Sequence, residues 1–184
     1  AVGLIPNDQK QAIRWTAFLA SLIPAGLSIA LWFNYANSGG GFQFEENAVW
    51  YQAINASYHV GVDGLAVPMI LLTGLLTPLA ILASFSIEDR IKPYMMLFLM
   101  LETGMFGVFA ALDLLIFFLF YEIGLVPMYF LINQWGGKDR RYASFKFIVY
   151  TMAGSLGLLL SIQLIGLSSG TFDIVQLLNL WPSF

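Results

Sequence analysis

Long apolar runs, separated by short polar segments, dominate the pattern of this chain. Five stretches carry few or no charged residues, at residues 15–35, 64–87, 93–112, 114–135 and 145–167. Each is long enough to cross a hydrocarbon core of about 30 Å, which takes roughly 20 helical residues. Because the runs lack the strict alternation of a membrane β-barrel, we expect helices. The pattern predicts an all-α, polytopic membrane protein with one transmembrane domain over residues 1–184.

Composition indicates that a lipid bilayer surrounds the chain, and it limits the cofactors and metals that the chain could hold. Hydrophobic residues make up 59% and charged residues 10% of the chain, whereas soluble domains carry about 25% charged residues. The absence of cysteine excludes thiolate-held iron–sulfur clusters in this chain, and one histidine makes a zinc site unexpected. We find neither a Walker A sequence nor a dinucleotide-binding glycine motif. We therefore expect no cofactor on this chain and no nucleic-acid partner.

Charge is distributed unequally between the two sides of the predicted bundle. All eight basic residues fall on one side: Lys10, Arg14, Arg90, Lys92, Lys138, Arg140, Arg141 and Lys146. The other side has no Lys or Arg and carries acidic residues: Glu45, Glu46, Asp63, Asp113 and Asp173. An added or deleted span would put basic residues on both sides, so the pattern supports five spans. By the positive-inside rule the basic side is cytoplasmic, or stromal in a plastid.

Two carboxylates lie inside predicted membrane helices. Glu102 and Glu122 lie on either side of the tight Leu112-Asp113 connection, roughly 10 residues and hence about 15 Å from it, near the midplane. An ionised side chain there costs at least about 2.5 kcal/mol, which makes each residue a functional candidate. The pair could share one proton if they face each other. The alternative is that each is simply protonated, or is satisfied by a Tyr, Ser or Thr on a neighbouring helix.

Four other residues are weaker candidates. Pro127 removes a backbone donor from the helix that carries Glu122, and breaks of this kind occur at transport sites. Lys146 is either a cationic partner of Glu122 or a side chain that extends to the interface. His59 lies in the predicted acidic-side loop and could release protons there, although a lone loop histidine is usually a surface residue. Asp63 has the position of a helix cap.

Three groups of sequence runs resemble the antiporter-like membrane subunits of respiratory complex I. They are ALDLLIFFLFYE (111–122) with LVPMYFLI (125–132), VGVDG (60–64) with LLTPLA (75–80), and WGG (135–137) with KF (146–147) and YT (150–151). Within that family the pattern around Glu122 and Pro127 is most similar to the M-type subunit. This type is also called chain 4, or the D subunit of cyanobacterial and chloroplast NDH-1.

The resemblance implies a proton-translocating membrane-arm subunit of an NAD(P)H- or ferredoxin-quinone oxidoreductase. The chain would then be a subunit of an enzyme, with other membrane-arm subunits as partners and with the iron–sulfur clusters and quinone elsewhere in the complex. It also implies that Glu122 is a proton relay, that Lys146 belongs to the relay region, and that a further lysine lies on a later helix. The helix-two region resembles photosynthetic, plastoquinone-reducing members. This favours a cyanobacterial thylakoid, with a bacterial plasma membrane as the alternative.

Several departures from the family pattern leave alternatives open. The family chain has more helices, so we expect this sequence to be a fragment that begins after a first helix and ends before the later lysines. Gly124 stands where many cyanobacterial and plastid relatives have an acid, which leaves a variant for carbon dioxide uptake open. The main competing function is a subunit of a multisubunit sodium/proton antiporter. A structural scaffold without transport is the third.

Overall fold

The chain forms a helical bundle in the computed structural model, which describes residues 2–6, 8–35 and 41–180. The elements are α1 (Lys10–Tyr35), β1 (Gln43–Tyr51), β2 (Ala56–Val62), α2 (Ala66–Ala83), α3 (Ile91–Ala110), α4 (Leu114–Trp135), α5 (Arg140–Ser169) and α6 (Ile174–Leu180). Within these ranges, α1 to α5 are long and apolar enough to cross a membrane. The prediction of a polytopic helical membrane protein with five spans is confirmed.

The helix ends differ from the predicted ends mainly on the basic side. Helix α1 begins at Lys10 and α5 at Arg140, each five residues before the predicted start. The apolar pattern marks only the segment that needs a hydrocarbon environment, whereas the helical hydrogen bonds continue into a polar interface. The first turns of α1 and α5 therefore carry basic residues and extend beyond the apolar core.

Consecutive helices are neighbours in space, and the first three pack around one apolar cluster. Ile13 and Ala17 of α1, Ile81 of α2 and Met95 of α3 belong to this cluster, and each is at most 1% exposed. The outward faces keep large apolar side chains exposed, such as Leu164 of α5. In a membrane these faces contact lipid or further protein, which are as apolar as the interior of the bundle. Their exposure therefore does not oppose the fold.

The basic end of the bundle is held together by arginine side chains. Arg14 donates to the Ile87 carbonyl at 2.8 Å, and Arg90 donates to the Gln134 side chain at 3.3 Å. These bonds join the start of α1, the α2–α3 connection and the end of α4. The structure therefore places these basic segments at one end of the bundle, as the charge pattern predicted.

The acidic end carries a β-hairpin that the sequence did not predict. Strands β1 and β2 are antiparallel, with Gln43 paired to Val62 and Tyr51 paired to Ala56. Gly61 lets β2 approach the α3–α4 connection, because a Cβ at this position would lie 2.7 Å from Leu112 Cδ1. The segment between α1 and α2 is therefore a packed element where we expected a loop.

Asp113 organises the connection between α3 and α4. It is fully buried. Its Oδ1 accepts the Leu115 N–H at 2.8 Å and the Ile116 N–H at 3.3 Å, while its Oδ2 accepts the Ser57 N–H from β2 at 3.3 Å. One carboxylate thus caps α4 and attaches the hairpin to it.

Replacing Asp113 is expected to destabilise this end of the protein. Asp113→Ala leaves three backbone N–H groups without their charged acceptor, so we expect the free energy of unfolding to fall by about 2 to 4 kcal/mol. Thermal denaturation of the full-length protein in its membrane assembly measures this as a lower Tm. Asp63→Ala is the control, because Asp63 caps only α2 through two N–H groups and is half-buried; its loss should cost about 1 kcal/mol. Equal Tm losses in the two variants would contradict the assigned role of Asp113.

Candidate functional site

The two intramembrane carboxylates lie at the same depth in adjacent helices. Glu102 is eight residues from the end of α3 at Ala110, and Glu122 is eight residues from the start of α4 at Leu114. At about 1.5 Å per residue, both lie about 12 Å from the acidic-side helix ends. The helix bounds thus place both carboxylates well inside the apolar part of the bundle.

Neither carboxylate is neutralised by a basic side chain in the described part of the chain. Glu102 is 4% exposed and Glu122 is half-buried. The Oε1 atom of each is buried and accepts no hydrogen bond from any residue in the described ranges. All ion pairs found there involve His59. A buried polar atom without a partner costs about 1 to 3 kcal/mol, more if charged, so both residues require a functional explanation.

Close packing of α3 on α4 shows which way the two carboxylates point. An ideal Cβ on Gly104 would lie 3.0 Å from the Gly124 nitrogen and 3.3 Å from the Phe120 carbonyl oxygen. These positions flank Glu122, and Glu102 is two residues from Gly104. Two residues correspond to about 200° around a helix. Both carboxylates therefore point away from the α3–α4 contact, and the structure does not bring them together.

Glu102 is on the face of α3 that packs against α1 and α2. It follows Met95, a member of the apolar cluster, by seven residues and therefore lies on the same face of the helix. Ser28 of α1 and Thr73 of α2 are buried and each lie seven residues from the acidic-side end of their helix, at the depth of Glu102. Ser21 adds a further buried hydroxyl on α1. Buried hydroxyl groups therefore lie at the depth of Glu102 on the two helices against which its face of α3 packs.

We did not single out these hydroxyl residues from the sequence, although a signal for them exists. Ser21 and Ser28 are seven residues apart, and Thr73 and Thr77 are four apart, which puts each pair on one helix face. Each hydroxyl donates to a carbonyl of its own helix at 2.8 to 2.9 Å. Polar residues at helical spacing in an apolar run indicate an interior face.

Two features of α4 lie close to Glu122 in sequence: a carbonyl that lacks its usual helical donor, and residues that line a cavity. Pro127 is buried within α4 and has no N–H for the carbonyl of Ile123, the residue after Glu122. A cavity of about 380 Å³ lies between α3, α4 and α5, lined by Gly124 and by Thr151 among others. The lining is mostly apolar, with Tyr121 and Thr151 as its hydroxyl-bearing residues, and Glu122 is not part of it.

Lys146 is near the basic end of α5 and does not pair with Glu122. Its side chain is exposed, and its Nζ lies 5.9 Å and 5.8 Å from the ring centroids of Tyr142 and Tyr150. These distances are in the range of cation–π contacts. Phe147, the next residue, lines the cavity beside α4. A relay role for Lys146 stays a prediction.

The structure revises the expectation for His59 and confirms that for Asp63. His59 is in strand β2 and is 4% exposed, so it is not a loop residue on the surface. Its ring nitrogens contact two carboxylates, which only the fold brings together. Asp63 accepts the Leu65 and Ala66 N–H groups at 3.1 and 2.7 Å and caps α2 as predicted.

The fold and these residues place the chain in the class of polytopic helical membrane proteins that carry carboxylates inside the bundle. The family model described as NADH-ubiquinone oxidoreductase chain 4, amino terminus, matches residues 7–108. A second, described as NADH:quinone oxidoreductase/Mrp antiporter, TM, matches residues 111–183. The chain belongs to the NADH-ubiquinone oxidoreductase chain 4 family.

Relatives with known names support this assignment over nearly the whole chain. NADH-quinone oxidoreductase subunit M of Rhodobacter capsulatus is 41% identical over 96% of this chain and 34% of its own length. NAD(P)H-quinone oxidoreductase chain 4 2 of Thermosynechococcus vestitus is 42% identical over 87% of this chain and 30% of its own length. A chain of respiratory complex I from Thermus thermophilus with bound NADH has a TM-score of 0.73 at 27% identity, covering 95% of this chain and 35% of that one. The chain thus spans about a third of the length of these relatives.

Proposed function

We propose that this chain is part of a proton-translocating membrane-arm subunit of an NAD(P)H- or ferredoxin-quinone oxidoreductase. The observation that carries the proposal is Glu122, whose buried Oε1 has no hydrogen-bond partner within the described ranges. Intramembrane ionisable residues commonly mark proton paths. The names of the relatives supply the overall reaction, and the carboxyl group supplies a place where this chain binds a proton.

Glu122 acts by accepting a proton on its carboxylate and releasing it toward the acidic side. The Ile123 carbonyl, to which Pro127 cannot donate, offers a polar position for water next to Glu122. Glu102 is a second proton-binding carboxyl, reached through the hydroxyl groups of α1 and α2. Lys146 changes the proton affinity of Glu122 by its positive charge.

The redox chemistry takes place in other subunits of the proposed complex. Iron–sulfur clusters are assigned there because this chain has no cysteine to hold them, and the quinone is assigned there by the resemblance to complex I. Other membrane-arm subunits and lipid are its proposed partners. We place the basic side in the cytoplasm. A thylakoid location rests on the cyanobacterial relative, and the Rhodobacter relative is equally compatible with another bacterial membrane.

The competing function is a subunit of a multisubunit sodium/proton antiporter. The family description that matches residues 111–183 covers both possibilities, since it also includes the Mrp antiporter. The description that matches residues 7–108 and the names of the relatives favour the oxidoreductase.

Purification of the full-length protein with its partners tests the proposed function. We expect subunits with iron–sulfur clusters to co-purify, visible by their low-temperature electron paramagnetic resonance signals. In reconstituted vesicles, quinone reduction should drive proton uptake at the same rate with and without added sodium. An assembly without iron–sulfur signals, whose proton flux requires sodium, would instead identify the antiporter. Wild-type proton flux after replacing both Glu102 and Glu122 would support a scaffold.

A further inference from the structure

A buried histidine joins three segments of the chain at the acidic end. Nδ1 of His59 in β2 lies 2.8 Å from Oδ2 of Asp173, which directly precedes α6, and Nε2 lies 3.1 Å from Oε2 of Glu45 in β1. His59 is 4% and Asp173 is 3% exposed, whereas the Glu45 side chain is 40% exposed. The three residues, here called the acidic-end triad, are distant in sequence, since Glu45 precedes His59 by 14 residues and Asp173 follows it by 114.

The geometry of the acidic-end triad limits the number of protons with which both contacts can be hydrogen bonds. A neutral imidazole donates from one ring nitrogen and accepts at the other, while an ionised carboxylate only accepts. Both contacts can be hydrogen bonds only if the triad holds one proton more than a neutral imidazole and two carboxylates. We propose that Glu45, His59 and Asp173 form a proton-binding site that attaches the hairpin to the α5–α6 connection.

No lysine or arginine side chain of this sequence competes with His59 for the two carboxylates. Every Lys and Arg of the chain belongs to the basic-side segments. Asp113, a titratable group near His59, accepts three backbone N–H groups, and Asp63 after β2 caps α2. The other titratable groups of the hairpin are exposed: Glu46, Tyr51 and Tyr58. The described residues also contain no cluster suited to a metal ion. A proton is therefore the ligand that this site takes.

Loss of the proton weakens one attachment and leaves others intact. The exposed Glu45 contact is the longer of the two, so it is the one that opens when the imidazole becomes neutral. The hairpin stays in place through Ala56, which packs with Phe172, and through the Leu112 N–H, which donates to the His59 carbonyl at 2.9 Å. The site thus tightens the hairpin when the compartment on the acidic side is acidic and loosens it as the pH rises.

Hydrogen exchange of the full-length protein in its membrane assembly tests this site. Imidazole changes its charge between about pH 5 and 8, so amide protection factors of β1 should be compared across this range and at pH values just above it. In the wild type we expect the protection factors to fall about tenfold as the pH rises, because one charge-assisted hydrogen bond is lost. A wild-type protection factor that does not change with pH would overturn the proposal.

Two glutamate variants separate the proton site from a general charge effect. In Glu45→Gln the amide N–H can donate to the unprotonated ring nitrogen, so β1 should stay protected throughout the range. Glu46→Gln removes the same charge from the neighbouring residue and should behave like the wild type. A wild-type profile in Glu45→Gln, or a flat profile in Glu46→Gln, would contradict the site. Glu122→Gln should retain the wild-type profile, because the acidic-end triad does not depend on the proton transfer proposed at Glu122.

Discussion

Glu122→Gln in the full-length protein is expected to reduce coupled proton translocation by at least about tenfold. Glutamine preserves the size and most polar contacts of the side chain but cannot bind and release a proton. Glu122 is the one carboxyl group of α4, and this helix contains no Lys, Arg or His that could replace it. The measurement is the ratio of protons transported to quinone reduced in vesicles that contain the assembled complex.

A matched control separates proton transfer from assembly. Glu46→Gln makes the same chemical change at an exposed position of β1 and should leave the ratio unchanged. Assembly of both variants is checked by the amount of complex that co-purifies with the tagged subunit. If Glu122→Gln assembles normally and transports protons at the wild-type ratio, the role assigned to Glu122 is wrong.

Gly104→Leu is expected to separate α3 from α4 and to destabilise the bundle by about 3 kcal/mol. Even a Cβ at this position would lie 3.0 to 3.3 Å from backbone atoms of α4, which cannot rotate away as a side chain can. The contact is at the depth of Glu122, so its disruption also displaces the carboxylate. The Tm of the assembled protein and the yield of complex measure the effect.

Gly124→Leu is the corresponding control on the opposite helix. A Cβ on Gly124 would meet only the Leu101 side chain, at 4.0 Å, and Gly124 lines the 380 Å³ cavity. We expect the free energy of unfolding to change by less than about 1 kcal/mol, because the added side chain enters open space. The Tm should therefore stay close to that of the wild type. Similar destabilisation by the two substitutions would show that the backbone contact at Gly104 is not what holds α3 on α4.

Side-chain direction at the carboxylates was outside the reach of sequence reasoning. The spacing of Glu102 and Glu122 from the Leu112-Asp113 connection predicted their similar depth, because the rise per residue of a helix is constant. It could not predict that both point away from the α3–α4 contact. That depends on the rotation of each helix about its axis, which Gly104 decides by its close approach to Gly124.

The sequence by itself determined the membrane class, the five helices and the basic and acidic ends. These properties depend on local composition and length, since an apolar run of sufficient length must satisfy its backbone hydrogen bonds as a helix in lipid. Only the tertiary structure decided the hairpin and the environment of His59. Those depend on the pairing of β1 with β2 and on Asp173, which lies 114 residues after His59. A polar segment between two spans carries no periodic signal for such partners, so the histidine that we expected in a loop proved to be the buried centre of the acidic end.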